Sequence, residues 1–199
     1  MDRGMSAGRL ITAVGVAFCL LEFGRAMGIP VPGPITRLLP IATRAPAREA
    51  EGVQMRIERA LRTTNRRLDA STSERIARAI LRCERDQSLD PDLVLAVLLV
   101  ESSGRPEARS SKGAIGLMQV MPHMFEELQL PGNVAHIEAN VEAGCLLLAD
   151  NMRRLGEERG ISAYFWGGSI QGDGYLRRVR SVLATLAQAP QPAVTASDG

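Results

Sequence analysis

The sequence predicts an all-α fold. Apolar residues recur at helical spacing over several segments, with capping residues before them and glycines after them. No run alternates convincingly with period two, so no strand is expected. At 199 residues the chain can hold one well-buried domain plus extensions. A formal charge of +2, with no aromatic-rich basic patch, argues against nucleic acid as a partner. Lys112 is the only lysine, and the arginine excess reads as compositional bias.

Residues 1–29 have the form of an export signal or membrane anchor. Arg3 and Arg9 precede an apolar run over 10–21, and small residues follow at Gly24 and Ala26. As a helix that run spans about 18 Å, short of a roughly 30 Å hydrocarbon core. Cleaved export to the periplasm or envelope is therefore expected over an anchor, with transient or anchored membrane association through this segment. Phe18 stands before Cys19 where lipidation wants a small residue.

Residues 30–50 carry Pro30, Pro32, Pro34, Pro40 and Pro46 and read as a semi-extended linker. Residues 51–70 read as an amphipathic helix, with Val53, Ile57, Ala60, Leu61 and Leu68 among many arginines. It could pack on the domain or dock a partner.

The main domain is expected over residues 71–187. Ser71 and Glu74 form a capping-box pattern ahead of Ile76, Ile80, Leu81 and Cys83. Asp90, Pro91 and Asp92 suit the start of a second helix: an N-cap, a first-turn proline and a charge complementing the dipole. Its apolar run over 93–100 should stop near Gly104 and Pro106. A short helix is expected over 123–130, closed by Pro131 and Gly132. Asn140 is expected to cap the next helix, which carries Val141, Cys145, Leu148 and Met152 and ends at Gly156. A last helix runs over 175–187, and residues 188–199 read as a disordered tail. Cys83 and Cys145 could pair or remain two buried thiols; the spacing leaves both open.

The stretch that gathers chemistry is ESSGRPEARSSKGAIGLMQVMP, residues 101–122. Glu101 falls in the last turn of a mostly buried helix. The negative end of the dipole and the loss of water both favour its neutral acid, the form a proton donor to a glycosidic bond requires. Gly113 and Gly116 permit tight turns and close approach of a ligand. Ser110 and Gln119 offer hydrogen bonds, and Leu117 and Met118 offer apolar contact. His123 and His136 have no Glu or Cys at ligand spacing, so no metal is expected. No Cys-His or Ser-His-Asp arrangement stands out.

Glu101-Ser102, Pro106, Ala108, Ser110, Gly113-Ala114, Gly116-Leu117-Met118-Gln119 and Met121-Pro122 together resemble the signature of soluble-type lytic transglycosylases. That family belongs to the goose-type-lysozyme-like group acting on bacterial peptidoglycan. Asn140 through Gly144 resembles its Asn-x-x-x-Gly block. Ala163-Tyr164, Gly167-Gly168, Tyr175 and Val179 resemble its C-terminal block. The resemblance covers residues 73–186 and implies a lysozyme-like helical domain without a cofactor.

It further implies that Glu101 is the general acid and then the base. The bond cut would join N-acetylmuramic acid to N-acetylglucosamine, leaving a 1,6-anhydro product. Met118 and Gln119 would line the cleft beside Leu117 and Gly116, Ser102 and Ser110 would support the loop, and Tyr164 would hydrogen-bond Glu101. Phe165 stands where the family usually has Asn, and Trp166 where it has a small residue. The implied partner is the peptidoglycan glycan strand, with an envelope-spanning secretion or conjugation machine as a further expected one. The alternatives are a hydrolytic muramidase and a non-catalytic peptidoglycan-binding subunit of such a machine.

Overall fold

The computed structural model describes residues 44–188. The expected export or anchor segment, most of the expected linker and all but Gln188 of the expected tail lie outside the described residues. Within them the chain is helical, with two isolated β-bridges and no named strand. The helices are α1 (Arg44–Thr64), α2 (Ala70–Gln87), α3 (Pro91–Ser102), α4 (Pro122–Glu127), α5 (Ile137–Leu155), α6 (Glu157–Trp166) and α7 (Gly174–Gln188).

The first helix starts at Arg44, so Pro46 and Ala50 belong to α1 and not to an extended linker. Proline is tolerated there because the first-turn N–H groups have no intrahelical acceptor. The helix packs on the domain. Ile57 and Leu61 are fully buried, Arg56 pairs with Asp92 at the start of α3, and Asn65 Nδ2 donates to Gly104 O at 3.0 Å.

Asp69, not Ser71, caps α2. Its carboxylate accepts Thr72 N at 2.8 Å and Thr72 Oγ1 at 2.7 Å, which holds it below the ordinary carboxylate range. Glu74 pairs with Arg78 one turn on and does not close a capping box.

Helix α3 is the centre of the core. Asp90 Oδ1 accepts Asp92 N at 2.8 Å, and Pro91 opens the helix. Val94 through Leu98 have no exposed surface, so the helix is apolar all round rather than striped. Ser103 stops it in the left-handed conformation, at φ 54°, and its N–H bonds Leu99 O at 2.9 Å. Chiefly, α3 packs on α7 and α2 on α5, and α5 turns at Gly156 to pack on α6.

Cys83 on α2 and Cys145 on α5 form a disulfide, with Cα atoms 6.0 Å apart. Both are nearly inaccessible. The α2–α5 packing brings them together, which their spacing in the chain could not decide.

Candidate active site

Glu101 sits in the last turn of α3, partly buried, where the core helix ends and the long loop to α4 begins. The loop folds against its own backbone. Gly116 N donates to Ala108 O at 2.8 Å, and Ile115 and Val120 exchange backbone bonds at 3.0 Å each way. Ser110 Oγ accepts Ala114 N at 3.0 Å and Ser110 N donates to Ala114 O at 3.0 Å, closing the turn that Gly113 makes at φ +91°.

Asn140 ties this loop to the domain. It lies inside α5, which begins at Ile137 after His136, so it caps no helix. Its side chain is 1% exposed and fully bonded. Oδ1 accepts Met118 N at 2.8 Å, and Nδ2 donates to Ile115 O at 2.9 Å and Val134 O at 2.8 Å. Gly116 is needed here on two counts: its φ is +80°, and a Cβ would lie 2.6 Å from Asn140 Nδ2. Gly144, one turn along α5, clears space for Met118, whose side chain would meet a Cβ at 2.5 Å.

This anchoring revises the expected cleft lining. Leu117 and Met118 have no exposed surface and belong to the core. Gln119 has φ 50°, and its amide nitrogen donates to Gly116 O at 2.9 Å and Ala108 O at 3.3 Å, bracing the loop from within. Ser102 is buried, its hydroxyl bonded to Leu98 O at 3.1 Å inside α3. It is the Ser102 carbonyl that meets the loop, accepting Arg105 Nε at 2.9 Å.

The tyrosine bonded to Glu101 is not the expected one. Tyr164 Oη donates to Met118 O at 2.8 Å, fixing the loop to α6. Tyr175, the second residue of α7, donates its hydroxyl to Glu101 Oε1 at 2.7 Å. The exchange follows from the packing: α7 lies against α3 and brings Tyr175 to the acid, while the Tyr164 hydroxyl is taken up by Met118 O. Burial pushes the Glu101 carboxyl above its ordinary range. The Tyr175 hydroxyl and the positive charge of Arg178 pull it back. Burial and the nearby carboxylate keep both tyrosine hydroxyls protonated well beyond their usual range.

Phe165 completes the neighbourhood. It stacks on Tyr175 with ring centroids 5.1 Å apart and planes 14° apart, and meets Trp166 edge-on at 4.9 Å. About half of its surface, 49%, is exposed.

Taken together, a partly buried carboxyl, a tyrosine hydroxyl donating to it and a pinned glycine-rich loop make an arrangement that can hold and release a proton. A family model, the transglycosylase SLT domain, matches residues 78–177, from mid-α2 to the start of α7. The chain belongs to the transglycosylase SLT domain family.

The match spans Glu101, Asn140, Tyr164 and Tyr175. A curated relative of this SLT domain is a transglycosylase of Enterobacteria phage PRD1, 37% identical over 86 residues. That alignment covers 43% of this chain and 32% of the phage protein, so the chain spans about a third of its relative's length. Among solved structures, one similar chain is an inactive mutant of the lytic transglycosylase Slt from Pseudomonas aeruginosa. It is 20% identical, with a TM-score of 0.45, over 58% of this chain and 25% of that one.

Tyr175 and Asn140 are the residues whose roles sequence reasoning missed. Both sit in the blocks that resemble the family, so their presence was legible. Their bonds, to residues 74 and 22 positions away, were not.

Proposed function

We propose that this SLT-domain chain is a peptidoglycan lytic transglycosylase that cuts the bond between N-acetylmuramic acid and N-acetylglucosamine. The observation that carries the reading is the Glu101 carboxyl at the end of α3, raised by burial and oriented by the Tyr175 hydroxyl. The relatives' names support the same reaction class.

Neutral Glu101 gives its proton to the bridging oxygen as the C1–O bond breaks, and the N-acetylglucosamine end leaves as an alcohol. Retaining glycosidases usually meet the developing cation with a second carboxylate about 5 Å away. The resemblance assigns that part to the substrate's own acetamido oxygen. The Glu101 carboxylate then removes the proton of the muramoyl 6-hydroxyl, whose oxygen closes on C1. The acid is regenerated and no water is consumed.

Export to the periplasm or envelope belongs to the same reading. It is motivated by the Arg-flanked apolar run and supported by the Cys83–Cys145 disulfide, which forms most readily in oxidising compartments. N-terminal sequencing of protein from the envelope fraction should find a mature start near Met27; an intact Met1 on cytosolic protein overturns export.

The test of the chemistry is digestion of purified sacculi followed by mass analysis of the released muropeptides. Anhydro-muropeptides, lighter than hydrolytic products by one water, are the expected result. Reducing-end muramic acid would instead assign a hydrolytic muramidase. No release at all by folded protein would remove the catalytic reading.

A further inference from the structure

Around Glu101 the titratable or charged groups that act on it come from two helices: Tyr164 from α6, and Tyr175 and Arg178 from α7. On the loop after α3, Arg105 turns its guanidinium to Ser102 O. Tyr175 and Arg178 are three positions apart on α7 and so share a face. The Arg178 guanidinium carbon lies 5.6 Å from the ring centroid of Tyr175 and 5.6 Å from that of Phe165. With the rings 5.1 Å apart, the three groups form a near-equilateral triangle. The Tyr175 hydroxyl ends on Glu101.

The neighbouring arginines of α7 are used differently. Arg177 pairs with Asp173, and Arg180 pairs with Glu158. Arg178 has no carboxylate within ion-pair distance among the described residues. Two aromatic rings hold it in place of an acid. A carboxylate partner would have cancelled its charge; neutral rings position the charge and leave it in force.

We propose that Arg178, seated against the Phe165–Tyr175 stack, is a positioning residue that supplies the counter-charge for ionised Glu101 between its two proton transfers. This rests on the acid–base reading above and extends it. After protonating the leaving oxygen, Glu101 must carry a negative charge in a partly dehydrated site until it takes the proton of the 6-hydroxyl. Tyr175 supplies one hydrogen bond to that anion, and Arg178 supplies a positive charge 5.6 Å from the centre of the tyrosine ring. Phe165 has the structural part, giving the exposed Arg178 side chain a second ring to rest against, so that its guanidinium stays beside Tyr175.

The test compares wild type with Arg178→Gln, Arg178→Lys and Phe165→Leu in the full chain. It uses pH profiles of sacculus digestion and carboxyl 13C NMR titration of Glu101. Removing the positive charge makes ionisation of Glu101 harder, so its titration midpoint in Arg178→Gln should move to higher pH. The alkaline limb of the profile, where the acid form is lost, should follow it. Turnover should fall about tenfold with KM changed less than twofold, and Arg178→Lys should restore most of the midpoint. Phe165→Leu should move the midpoint in the same direction by less.

An unmoved midpoint in Arg178→Gln overturns the proposal. So does a rise in KM alone, which would make Arg178 a contact for anionic substrate. The NMR readout needs no turnover, so it also separates this proposal from the reaction assignment. If wild type releases no muropeptides, the transglycosylase reading fails; if it digests sacculi but Arg178→Gln titrates alike, only Arg178 loses its role.

Discussion

Tyr175 Oη and Glu101 Oε1 are 2.7 Å apart, joining the first turn of α7 to the last turn of α3 across 74 positions of sequence. The tyrosine is buried and the acid is partly so, which makes the bond count for more than it would at a surface. Tyr175→Phe keeps the ring and its stack on Phe165 but removes the donor. The bond favours the charged form of Glu101, so its loss raises the acid's pKa and the alkaline limb of activity should move to higher pH. Turnover should drop by at least tenfold, while stability falls by about 1 kcal/mol, one net hydrogen bond. Tyr164→Phe is the control. It frees Met118 O and should lower the melting temperature, leaving the limb in place, as followed by sacculus digestion and thermal melts.

Glu101→Gln removes the transferable proton and should lower turnover by at least a hundredfold. The same variant has a stability signature that needs no substrate. Burial raises the folded-state pKa of Glu101 above its unfolded value. The folded protein therefore holds this proton more tightly than the unfolded chain does. That contribution to stability is complete below the unfolded pKa and is lost as pH rises through the folded one. Glutamine cannot lose a proton, so the melting temperature of Glu101→Gln relative to wild type should be higher at pH 7 than at pH 4. Equal differences at the two pH values would show that Glu101 ionises as freely in the fold as in water.

Gly116→Ala forces a side chain into φ +80° and to within 2.6 Å of the Asn140 amide. A cost of roughly 2–4 kcal/mol is expected from the strain and the displaced contact. Asn140→Ala should cost a similar amount, roughly 2–4 kcal/mol, because Met118 N loses its buried acceptor and two carbonyls lose their donor. Combined, the two changes should cost less than their sum, since Asn140→Ala removes the atoms that the new methyl meets. Urea denaturation of the singles and the double measures the coupling; strict additivity would mean that the loop is not held through this pair.

The Cys83–Cys145 bridge closes a loop across a sequence separation of 62. Chain entropy alone assigns such a bridge about 4 kcal/mol of stability. Replacing both cysteines with alanine should lower the urea midpoint correspondingly, and reductant should then have no further effect on that variant. A midpoint unchanged by reduction of the wild-type protein would show that the fold holds its two helices together without the bond.

The sequence by itself determined the features that are settled within a turn or two of chain. It determined the all-α class, the start of α3 at Asp90 and Pro91, its stop just past Glu101, and the glycine-bearing loop that follows. Caps, helix breakers and 3.6-residue periodicity act over about four residues, so they can be read locally. It determined less well which of several local signals wins. Asp69 took the cap expected of Ser71, and Asn140 fell inside a helix it was expected to begin.

Only the tertiary structure decided which residues meet. The resemblance implied Tyr164 as the donor to Glu101, with Tyr175 in the same C-terminal block. The packing of α7 against α3 gave Glu101 to Tyr175, and left Tyr164 to hold Met118 O, 46 positions away. Folding also buried Leu117 and Met118, and the packing of α2 on α5 closed the disulfide. A side chain's partner depends on how whole helices stack. That arrangement is fixed by the summed burial of many apolar residues and leaves no mark at the position of any single polar one.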